Sequence, residues 1–181
     1  KNWYENTHYI KQPSYSQTRY KKQNTYAIKK TTPKKTIYHY RENEGWDWLA
    51  KGEASYALDI FAIQSQQNLN SGIPKVGFAI AAASLGETAR ATRAMRKAVR
   101  LDPTSLDRLI INNDIKTRLN TLSDTLNYDK NNIDTAFLLS SLAYIQGKHT
   151  AAQDLLANDD KSDSAIRLRK LTEQYRETDH F

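Results

Sequence analysis

Four histidines, His8, His39, His149 and His180, are the side chains best suited to hold a metal or move a proton near neutral pH. They are widely separated, and none has a second histidine or a cysteine at ligand spacing, so no local metal motif is present. Asp159, Asp160 and Asp163 cluster where one expected helix ends and another begins. Without a loop glycine or a terminal bidentate glutamate they suit helix capping and solvation better than calcium. No glycine-rich phosphate loop, nucleophile elbow or paired-carboxylate motif occurs. The sequence therefore assigns no catalytic, cofactor-binding or metal-binding residue, and the expectation is a non-enzyme.

What remains is recognition chemistry, and it is aromatic. Trp46 and Trp48 flank Asp47. Two residues on a helix subtend about 200°, so both indoles cannot enter one core face. Trp48 is expected to pack, leaving Trp46 for a partner. The N-terminal residues 1–41 hold Trp3, seven tyrosines and ten cations against one acid, Glu5. That segment carries +9 of a formal chain charge of +7, so residues 42–181 sum to −2. With almost no aliphatic surface, it cannot offset a backbone ordering cost of about 1–2 kcal/mol per residue. Three uses stay open: a solvated tail, a strap on a protein anchored by Tyr4, Tyr9, Tyr15, Tyr20 and Tyr26, or a polyanion binder whose tyrosines stack on bases.

Positioning elements appear from Gly45 onward. Apolar residues recur at helical intervals over 53–67, 76–85, 87–101, 114–128, 133–146, 148–157 and 164–177, and strict alternation is lacking. The expected class is all-α, with an extended arm over 1–41 and a helical domain over 42–181. Cysteine is absent, so stability must come from packing. No apolar run of about 18 residues could span a bilayer.

A period of 34 residues runs through the body. Gly52, Ala57 and Phe61 recur as Gly86, Ala91 and Met95, and the triplet returns as Gly147, Ala152 and Leu156. Seven residues before each glycine stand Gly45, Ala79 and Ser140, all small, and Pro103 follows Gly86 by 17. This pattern resembles the tetratricopeptide repeat, a helix–turn–helix unit with small residues where its helices cross. Gly86 and Gly147 are 61 apart, so an intervening unit has lost about two turns, expected from its first helix around 104–111, and carries Asn112-Asn113 in place of its turn glycine. Residues 164–177 are expected to cap the stack.

The resemblance implies a right-handed helical-hairpin solenoid whose first helices line a concave groove. Carried onto this sequence, the groove residues are Trp46, Leu49, Val76, Ile80, Ala83, Phe137, Ser141 and Tyr144. The implied function is a protein-binding adaptor or scaffold in a macromolecular assembly, self-association included, with the arm as tether. Nucleic acid or another polyanion, held by the arm, is the alternative partner. Because the chain opens on Lys1 and not on methionine, a processed protein of a bacterial periplasm, envelope or exterior is expected, with the cytoplasm as alternative.

Overall fold

The computed structural model describes residues 41–126, 128–129 and 131–176, and every regular element among them is helical. In chain order these are α1 (Glu44–Lys51), α2 (Ala54–Gln67), α3 (Ile73–Ser84), α4 (Thr88–Leu101), a 3-10 turn (Pro103–Leu106), α5 (Asn113–Thr125), α6 (Ile133–Ile145), α7 (His149–Leu155) and α8 (Asp163–Arg176).

Three hairpins share one turn. Gly52, Gly86 and Gly147 have φ of 86°, 79° and 76°, and they alone among the described residues occupy the left-handed region. Each glycine N–H donates to the carbonyl three residues back, and the next residue's N–H to the carbonyl five back: Leu49 and Trp48, Ala83 and Ala82, Tyr144 and Ala143. This double bond satisfies the orphan carbonyls of a helix end, and a side chain at the glycine would be strained. The following helix then starts two residues on, which fixes the same compact hairpin for α1–α2, α3–α4 and α6–α7.

Small residues let the hairpins close. The Phe61 ring, fully buried on α2, lies between Gly45 of α1 and Gly77 of α3; a Cβ built on either would approach it to 2.7 or 2.4 Å. In α6–α7, Ser140 fills the corresponding gap and donates to the Ala152 carbonyl at 2.5 Å. Ala57, Ala79, Ala91, Ala98 and Ala152 are likewise sealed from solvent, as are Met95 and Val99 on the inner face of α4. Dense packing of this kind needs no disulfide.

The segment between α4 and α5 sets the architecture. Pro103–Leu106 makes one 3-10 turn, seated where Gly72 lacks a side chain: a Cβ there would meet Ser105 Oγ at 2.3 Å. Asp102 fastens the same place, accepting from Gly72 N–H at 3.0 Å and from Arg108. No helix follows until Asn112, whose side chain caps α5 by accepting from Ile115 N–H at 2.8 Å. Asn112 therefore starts a helix and does not stand in for a turn glycine. Six non-helical residues, 107–112, can span about 20 Å. They carry α5 back onto α1 and α3, while α6 packs directly on α4, and α8 closes over α4 and α7.

Candidate interaction surface

The eight residues expected to line a groove do not line an open one. Leu49, Val76, Ile80, Ala83, Phe137, Ser141 and Tyr144 are buried, and Trp46 is half-buried. On α1 and α3 the reason is the path of α5: its Ile115, Leu119 and Leu122 join the same core as Leu49, Val76 and Ile80, whereas Tyr144 is covered by Asp107, His149 and Tyr175. Two openings survive beside α5. One, of about 400 Å³, includes Leu49, Leu85, Arg118 and Leu122 in its walls; the other, of about 270 Å³, includes Trp46, Leu109 and Ile115. Arg118 overhangs the end of α1, where a Cβ on Gly52 would lie 2.6 Å from its guanidinium. A cation at a helix C-terminus is favourable, which helps α5 hold its place.

Both tryptophans are half-buried and pack against the core, Trp48 as expected and Trp46 in addition to lining an opening. Trp46 meets the buried Phe61 edge-on at 4.9 Å. Trp48 lies 5.2 Å from the Tyr56 ring and has Lys51 Nζ 4.7 Å above it. Tyr56 is 60% exposed. The anchors Tyr4, Tyr9, Tyr15, Tyr20 and Tyr26 lie outside the described residues.

Two polar clusters escaped the sequence reading, and both tie elements together. In the first, Asp160 is 3% exposed and accepts from Arg96 Nη2 at 2.8 Å. Arg96 also donates to Asp134 Oδ1 at 3.0 and 3.1 Å and to Ser162 Oγ at 2.7 Å, with its guanidinium 4.3 Å over the Phe137 ring. Burial pushes the Asp160 carboxyl up, but hydrogen bonds from Ser162 and Arg96 outweigh it and hold the group below the usual carboxylate range. Asp160 is thus a buried ion-pair partner and not a solvated acid.

In the second, Asp107 accepts from Tyr144 and, at 3.3 Å, from Tyr175. His149 stacks on Tyr175 at 4.0 Å, and its Nδ1 is buried without a hydrogen-bond partner among the described residues. Burial, reinforced by Asp107, raises the Tyr144 phenol well above its ordinary value, so it stays a proton donor to that carboxylate. Asp107 and the two tyrosines bond to one another, and with the stacked His149 they fasten the loop after the 3-10 turn to α6, α7 and α8. Lys75 is a third buried group: its Nζ donates to the Ser71 and Asn68 carbonyls at 2.7 and 3.2 Å, and burial, then Lys97, lower its pKa.

Among the described residues no three potential metal ligands gather, and no helix is long and apolar enough to cross a membrane. Apart from the two openings beside α5, the exposed features are Tyr56 with Trp48 beside it on α1–α2 and a line of cations on α4. No protein-family model, curated protein or solved structure matches the chain.

Proposed function

We propose that residues 42–181 form a short tetratricopeptide-like helical repeat that acts as a non-enzymatic adaptor. It holds another protein within an assembly of the bacterial envelope or exterior, with residues 1–41 as the tether. The observation that carries this reading is the triple recurrence of one hairpin, with the same glycine conformation and bond pattern at Gly52, Gly86 and Gly147. Repeated hairpins stack into surfaces larger than any one unit can offer, which suits macromolecular partners. The closure by α5 moves the partner surface from the concave side to the outer helices.

The test is capture by the intact chain, read by mass spectrometry, beside two full-length variants. In one, Tyr9, Tyr15, Tyr20 and Tyr26 are changed to serine; in the other, Lys21, Lys22, Lys29 and Lys30 are changed to glutamine. Aromatic anchors supply more binding energy than exposed lysines, whose ion pairs contribute about 0–1 kcal/mol each. The tyrosine variant should therefore lose the captured protein, and the lysine variant should largely keep it. The opposite ranking, with affinity falling steeply as salt rises, would replace the adaptor by a nucleic-acid or polyanion binder.

A further inference from the structure

The helical body is sorted by charge. Residues 68–101 carry six cations against Glu87, whereas residues 42–67 carry five acids against Lys51. Three of the six cations are engaged: Arg90 on Glu87, Arg96 in its ion pairs and Lys75 on loop carbonyls. Arg93, Lys97 and Arg100 are not. They are exposed on α4, three and four residues apart, and none has an ion-pair or hydrogen-bond partner among the described residues. With Arg90 they form a line about 15 Å long on one helix face. Like charges at this spacing destabilise a helix, and no acid interrupts them. A merely solvated face would mix its signs.

The opposite surface exists on the same molecule. On α2, Glu53 N-terminal to the helix, Tyr56 and Asp59 are exposed in succession, and Trp48 lies beside Tyr56. Among the described elements α2 packs only on α1 and α3 and none covers this face, whereas α7 at the far end is covered by α8. Arginine suits such a surface on both counts, since its planar fork pairs with carboxylates and stacks on aromatic rings.

We propose that the Arg93–Lys97–Arg100 line of one molecule docks on the Glu53–Tyr56–Asp59 face of a second copy. The contact is head-to-tail, so each molecule offers one donor face and one acceptor face. Because α2 and α4 do not touch, both can be engaged at once. Repetition then extends an open chain of molecules unless its rotation closes a ring. The contact is weak and salt-sensitive, as expected of exposed charge pairs. It goes beyond the adaptor reading and stands without it, because self-association and capture of another protein are measured separately.

Sedimentation velocity of the full chain tests this at about 20 and about 300 mM salt, where screening differs strongly. Two variants are compared with the native chain, Arg93→Glu with Lys97→Glu, and Glu53→Lys with Asp59→Lys. All four positions are exposed, and circular dichroism verifies the helices. The native chain should associate at low salt and dissociate at high salt. Each variant alone should associate at least about tenfold more weakly, and the two mixed should associate again, because one keeps the acidic face and the other the basic line. Reversal of Arg167 and Lys170, exposed on α8, should change nothing. A native chain that stays monomeric at low salt, or variants that associate as before, would overturn the proposal. So would loss of association when Tyr9, Tyr15, Tyr20 and Tyr26 become serine while the α4 variant is unaffected, which would make the N-terminal segment the occupant of α2.

Discussion

The α1–α2 and α6–α7 hairpins turn in the same way and fill the gap between their helices differently. In the first, backbone is brought close by glycine and the space is taken by the ring of Phe61, wedged between Gly45 and Gly77. In the second, the gap holds a serine that bonds to the facing carbonyl. The turn specifies a hairpin; the residues at the crossing decide whether it is held by volume or by a hydrogen bond. The C-terminal half continues the polar solution, with Arg96 and Asp160 joining α4 to the segment before α8. The N-terminal half continues the apolar one.

This contrast predicts a graded set of losses. Phe61→Ala should be the most damaging, destabilising by about 3–5 kcal/mol in chemical unfolding, because a fully buried ring leaves a cavity between three helices. Gly77→Ala should cost about 1–3 kcal/mol through overpacking. Combining Gly77→Ala with Phe61→Leu should cost less than the sum of the two, since the second change makes room for the first. Additive losses would show that the ring does not fill the slot between these glycines.

Asp160→Asn should fall in the same range as Gly77→Ala, at about 2 kcal/mol, by removing a charged acceptor from Arg96, which keeps partial access to water. The native carboxyl is depressed below its unfolded value of about 4, so unfolded chains bind the proton more tightly. The stabilisation is complete above that value and disappears as pH falls through and below it. Thermal melts from about pH 2.5 to pH 6 should accordingly show the native chain losing its advantage over the Asn variant at the acid end. A constant gap between the two curves would mean that the ion pair contributes nothing through its charge. Ser140→Ala should be mildest, at about 1 kcal/mol, because the small side chain is kept and one buried bond is lost. A loss as large as that of Phe61→Ala would mean the hydroxyl does more than bridge one carbonyl.

The turns and the inner faces were legible because local rules govern them. The turns at Gly52, Gly86 and Gly147 rest on bonds within one helix end, and Ala91, Met95, Ala98 and Val99 recur at helical spacing without reference to distant chain. The ion pair of Arg96 with Asp160 joins residues 64 apart, and nothing near Asp160 distinguishes it from Asp159 or Asp163. Gly77 was missed because attention to the 34-residue register falls on Ala79, two residues away. What covers α1 and α3 could not be read locally, because it is decided by the stretch after Pro103, where six non-helical residues let the chain cross back. Its local signal, one proline and a pair of asparagines, says where helix stops and starts but not where the next helix lands.

The crossing of α5 also bears on how the body comes apart. In an array whose units touch only their neighbours, stability is nearly a sum over units, and the ends can fray one hairpin at a time. Here residues 113–125 rest on 44–51 and 73–84, so the first hairpin cannot peel away without releasing the fifth helix and opening the core they share. The links are long in sequence, which slows their formation because distant segments must meet first. Once made, they couple the two halves into a single cooperative transition. The shortened segment after Pro103 thus exchanges modularity for cooperativity.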